Sequence, residues 1–192
     1  MFKRLLLGAA LLCAGTAQAA LINFTGNIAN HNDVIRIDFT LLSDANNVRV
    51  WTDSHDGGVN FDPITALWDA AGNLLDENDD NDSIDPATQT VFDSGFTLPF
   101  LAAGNYTFTI ATFNNFAAGS TLADGFSFDS ETAIPLSQWC QPANDCNEGT
   151  FWSVWLDGVD SATNPGGGTP VPAPATLLLM AFGGLLMARR RK

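Results

Sequence analysis

The chain has 192 residues and a net charge of −13, with eight basic and twenty-one acidic side chains. Six of the basic residues lie before residue 20 or after residue 170, so the stretch between keeps Arg36 and Arg49 against every acid, a net charge of −19. Such a surface repels nucleic acid and anionic lipid, which argues against a nucleic-acid partner and makes salt or divalent cations stabilising.

The first nineteen residues read as an export leader. Lys3 and Arg4 supply a positive start, Leu5 to Ala14 an apolar core, and Ala17-Gln18-Ala19 a small-x-small cleavage site, with Ala20 as the mature start. Cys13 leaves with the leader, because Leu12 stands where a lipoprotein site needs a small residue.

Residues 20–163 then alternate between apolar and polar instead of recurring at helical spacing. Ile35, Ile37, Phe39 and Leu41 fall on one face and Arg36, Asp38 and Thr40 on the other. Tyr106, Phe108 and Ile110 repeat the pattern against Thr107 and Thr109, and Trp152, Val154 and Leu156 predict a closing strand. Turn signals separate these runs at Asp56-Gly57-Gly58, Ala71-Gly72-Asn73, Ala103-Gly104-Asn105 and Asp124-Gly125. The expectation is one all-β domain, an antiparallel β-sandwich of jelly-roll type.

The most chemical stretch runs from Phe61 to Asp85 and carries five acids between Asp76 and Asp82. At that spacing mutual repulsion demands full hydration or a cation. An EF-hand is excluded, because with Asp76 as first ligand Asn81 replaces the turn glycine and Ala87 the closing glutamate. Two readings stand: a solvated acidic turn, or an irregular calcium loop using Asp76, Asn78, Asp79, Asp80 and Asp82. Asp53, His55 and Asp56 form a second polar cluster, read as a turn with Gly57-Gly58 or as metal ligands.

Once the leader is removed Cys140 and Cys146 are the two cysteines left, and in an oxidising compartment they are expected to pair. A metal site is the rival reading and has no nearby histidine. Beside this loop Trp139 lies outside any alternating run, which makes it the candidate for stacking on a sugar ring. Trp152 and Trp155 are expected on opposite faces of one strand.

After Thr163 the pattern stops. Residues 164–171 read as a Gly/Pro tether, and residues 172–192 as a short membrane-directed tail. Its apolar part, Ala175 to Ala188, is fourteen residues. As a helix it spans about 21 Å of a hydrocarbon core of about 30 Å. Arg189, Arg190, Arg191 and Lys192 would stay on the cytoplasmic side.

The run Pro172-Ala173-Pro174, the apolar segment and the arginine cluster together resemble the PEP-CTERM sorting signal of Gram-negative bacteria, with Ala173 where that motif has Glu. The resemblance covers residues 171–192. It implies an exosortase-like membrane protease as partner, transient inner-membrane anchoring, and delivery to the cell surface or an exopolysaccharide and biofilm matrix. Phe61-Asp62-Pro63, the turn at Gly72-Asn73, Asn78-Asp79-Asp80 and Leu101 to Tyr106 resemble the bacterial pre-peptidase C-terminal domain, a calcium-associated β-sandwich. Asn114-Asn115-Phe116, Leu122 to Phe126 and Phe151 to Trp155 are similar to an uncharacterised family of secreted sandwich proteins with the same tail.

His31 and His55 are the chain's two histidines, read as surface or loop residues, and neither a Gly-x-Ser-x-Gly elbow nor a His-Glu-x-x-His pair is present. The sequence therefore predicts a non-catalytic surface or matrix protein stabilised by calcium, with carbohydrate binding as the alternative.

Overall fold

The computed structural model describes residues 21–141, 146–167 and 171–172. The leader 1–19, Ala173, Pro174, the apolar segment 175–188 and Arg189, Arg190 and Arg191 lie outside the described residues. No helix among the described residues is long and apolar enough to cross a membrane.

Among the described residues ten strands make up the fold: β1 Ile22–Asn27, β2 Ile35–Leu41, β3 Val48–Thr52, β4 Pro63–Trp68, β5 Leu74–Asn78, β6 Gly95–Leu98, β7 Gly104–Thr112, β8 Phe151–Asp157, β9 Ser161–Thr163 and β10 Val171–Pro172. They form two five-stranded antiparallel sheets, ordered β10-β1-β8-β3-β6 and β5-β4-β7-β2-β9. Pairing is nested, with β1 on β8, β2 on β7, β3 on β6 and β4 on β5. Until β4 each strand passes to the opposite sheet from the one before it, so β4 to β5 is the single hairpin between neighbours in the eight-strand frame.

The alternation read from sequence explains the layers. Ile37, Phe39 and Leu41 of β2, Phe108 and Ile110 of β7, Val48 and Val50 of β3, and Trp152, Val154 and Leu156 of β8 turn inward and form one core fed by both sheets. Each such side chain contributes about 1.5–3 kcal/mol by leaving water. β6 lies close on β3 only because Gly95 has no side chain: its φ is +148°, and a Cβ there would fall within 2.6 Å of the Trp51 Cα.

A second, smaller cluster caps the outer face of β4. There Ala66 and Trp68 are covered by Phe126, which comes from the long β7 to β8 connection. The Trp68 and Phe126 rings meet edge to face at 6.1 Å, and the Trp68 indole donates to Thr109 Oγ1 at 3.0 Å. That cover ends before β2 and β9, leaving their outer faces open. The segment 164–167 that follows β9 is read from sequence as tether, and Val171 and Pro172 then return to pair with Asn23 and Ile22 at the β1 edge.

Candidate metal centre

The β4–β5 hairpin decides where the acids meet. Its turn, Asp69 to Gly72, closes one end, and the other end is open where β4 begins and β5 finishes. Pro63 is the first residue of β4, a position where its missing N–H costs no ladder bond, and it holds Asp62 extended just outside the sheet. Asp79 and Asp80 leave β5 at the same end. Carboxylate oxygens of Asp62, Asp79 and Asp80 lie within 4.8 Å of one another.

That spacing suits a hard cation. Calcium takes oxygen ligands at about 2.3–2.6 Å, so two oxygens on opposite sides of one ion stand about 5 Å apart. Asp62 is 3 % exposed, and its Oδ2 accepts a bond of 3.3 Å from the Gln141 side-chain amide. Asp79 Oδ1 is buried with no hydrogen-bond partner among the described residues. Burial, then the charges of Asp80 and Glu77, lift the Asp79 carboxyl to a pKa of about 6. Asp80 is raised as well, chiefly by burial and further by Asp82, with His55 pulling the other way. Glu77 is raised by burial, against the Ala117 N–H that its Oε1 accepts at 2.7 Å. Neighbouring carboxyls held above their ordinary range are groups whose charged form lacks compensation, which a divalent cation would supply.

The acidic run is anchored, not a loose turn. Gln89 accepts the N–H groups of Ile84 and Asp85 on its side-chain oxygen and donates to the carbonyls of Thr52 and Asn81. Asp93, fully buried, accepts from Thr52 Oγ1 and the Ser54 and His55 amides on one oxygen, and from the Thr90 amide and hydroxyl on the other. These bonds fasten the loop from Asp79 to Asp93 to the end of β3.

The residues singled out in the sequence divide accordingly. Asp79 and Asp80 enter the group, and Asp62, absent from the sequence-based ligand set, joins them. Asp76 is an exposed β5 residue whose Oδ1 accepts the Glu77 amide, and Asp82 is exposed outside the group. Asn78 turns to the neighbouring sheet, its amide oxygen accepting from Ser94 Oγ at 2.9 Å. His55 is buried with Nδ1 2.9 Å from Thr90 Oγ1, and burial holds its pKa below the ordinary value despite Asp93, Asp80 and Asp56. Asp53 accepts the Trp155 indole N–H at 2.7 Å.

Both histidines lie in loops, one of the two positions read from sequence, and both are buried there. His31 accepts the Ile134 N–H on Nδ1, so its Nε2 carries the proton donated to Glu131 at 3.0 Å. Trp139 is half-buried, its ring 5.2 Å from His31 and 6.1 Å from Phe128. Cys140 and Cys146 are joined as a disulfide. No model of a known protein family matches the chain, and no curated protein is similar enough to align with it.

Proposed function

We propose that this chain is an exported, non-catalytic component of the bacterial cell surface or exopolysaccharide matrix, a jelly-roll sandwich that calcium stabilises at Asp62, Asp79 and Asp80. The observation that carries the calcium reading is the convergence of those three carboxylates at one end of the β4–β5 hairpin, in a stretch of net charge −19. The nested pairing β1/β8, β2/β7, β3/β6 and β4/β5 supports the jelly roll, because it is what one long antiparallel hairpin gives when rolled into two layers. Export is supported by the leader, the tail and the disulfide, which suits an oxidising compartment. On this reading an exosortase-like protease removes the tail, the inner membrane holds the chain until then, and extracellular polysaccharide is the lasting partner.

The test is thermal unfolding of the full chain with calcium and with chelator at fixed ionic strength. Calcium is expected to raise the midpoint, and Asp62→Asn or Asp79→Asn to remove the increment; an unchanged midpoint in the wild type would sink the site. Sorting is checked separately by mass-mapping the C-terminus in the native host. Loss of Arg189 to Lys192 is expected, and their retention would point to a plain anchor.

A further inference from the structure

At the far end of the β4–β5 hairpin from the acidic corner, the outer face of the second sheet carries an open groove of about 710 Å³. Its floor is set by strand register. Thr40 stands between Ser161 of β9 and Asn105 of β7, and Asp38 between Thr163 and Thr107, so two polar rows cross three adjacent strands. Arg36 begins the next row, about 14 Å along β2 from Thr40. All share one face by the two-residue period.

One wall is the Asp69 to Gly72 turn, held by the Ala71 and Asn73 amides on Asp69 and by the Leu122 amide on the Gly72 carbonyl. Leu122 and Ala123 add an apolar strip to that wall, and Ala162 another on the opposite side. A second depression of about 320 Å³, lined by Asn27, Trp152 and residues 164–167, shares Arg36 with the first. The groove on the outer face is the channel, and Arg36 is its shared boundary with the second depression.

Its chemistry is that of a polyol site. The Arg36 guanidinium is exposed and, among the described residues, has no carboxylate within 4.0 Å, whereas Arg49 is paired with Asp157. Side chains of Arg36, Ser161 and Thr163 make no hydrogen bond with other described residues, so their donors face the channel unspent. Asp38 accepts from Thr107 at 2.7 Å and Asn105 from Thr40 at 2.8 Å, each acceptor oxygen keeping capacity for another donor. Guanidinium, carboxylate, amide and hydroxyl side by side match the alternating donor and acceptor demands of vicinal diols, and the alanine and leucine strips offer contact to the C–H faces of sugar rings. Two carboxylates, Asp38 and Asp69, border the channel, and the net charge of the stretch is −19, so an acidic polymer is disfavoured.

We infer that this channel binds a neutral oligosaccharide chain, with Arg36, Asp38 and Asn105 as its principal hydrogen-bonding groups. The inference deepens the matrix reading by giving polysaccharide a place to bind, and is independent of calcium at the acidic corner. It relocates sugar recognition from Trp139 to the outer face of β2, β7 and β9.

The experiment is affinity electrophoresis and titration calorimetry of the full chain, in a zwitterionic detergent that carries no sugar, against neutral glucans, mannans and galactans and against uronate polymers. Retardation by at least one neutral glycan is expected. Arg36→Ala and Asn105→Ala should each weaken it about tenfold, Ala123→Arg should block it, and Trp139→Ala should leave it unchanged. No retardation by any neutral glycan, retention by uronates alone, or binding indifferent to Arg36→Ala and Ala123→Arg would overturn the inference. Far-UV circular dichroism of each variant separates lost binding from lost fold, and the calcium-dependent melt, read on the same samples, separates this failure from failure of the metal centre.

Discussion

On the proposed calcium reading, Asp79 is the residue on which pH and cation meet. An exposed aspartate titrates near 4, but here burial and two neighbouring charges place the folded-state pKa at about 6. A raised carboxyl favours the folded state fully below the unfolded value and loses that contribution as pH rises through about 6. Calcium-free protein should therefore lose stability between pH 4 and 6.5, while calcium affinity should increase over the same interval; matched melts across that range read both. Asp79→Asn, which keeps the shape and drops the charge, is expected to raise the calcium-free midpoint at pH 7.5 by about 3 °C after allowance for solvent screening. Asp93 is the contrast, a carboxylate with its full complement of donors. Asp93→Ala strands the buried amides of Ser54 and His55 and the part-buried amide of Thr90 and is expected to cost at least about 3 kcal/mol by denaturant titration. The acidic run announced itself in the sequence through charge density. Asp62 did not, because thirteen residues of strand, turn and strand separate it from Asp76 and only hairpin closure returns the chain to it.

Strands were the legible elements. β2, β7 and β8 follow the alternation written in Ile35 to Leu41, Tyr106 to Ile110 and Trp152 to Leu156, because one face of each is core and the other is not. Trp152 and Trp155 fall on opposite faces as their spacing requires, the first buried and the second reaching Asp53. β4 was harder to read, since Pro63 to Trp68 is buried on both faces and loses its period beneath Phe126. The connection from Phe113 to Gln141 carries no strand pattern, and its covering role rests on contacts distant in sequence. Its end is fixed by the disulfide, whose cysteines stand six positions apart. Loop-entropy reasoning gives about 2 kcal/mol for so small a ring. Replacing both cysteines by serine should lower stability by that amount while leaving the glycan channel, bounded by other elements, unaltered in the binding assay.

For the whole molecule, two chemical regions sit at opposite ends of one hairpin, a carboxylate corner and a polar channel, so each can be altered without touching the other. Charge could be counted from the sequence, but its partition could not: that Arg49 is consumed by Asp157 and stacks over Trp51 while Arg36 stays available is a fact of register. The nested pairing carries a further consequence, in time instead of space. Asn23 of β1 bonds Val154 of β8, 131 positions away, so the first strand has no partner until almost the entire chain exists. Such high contact order predicts folding on the millisecond to second scale, slower than for helical domains of similar stability. Stopped-flow refolding followed by tryptophan fluorescence is expected to fall in that range, and submillisecond refolding would contradict it. A ribosome-bound chain would then remain a thread through most of its synthesis, and on the proposed export reading the order in which its strands close would guard against folding before a membrane is crossed.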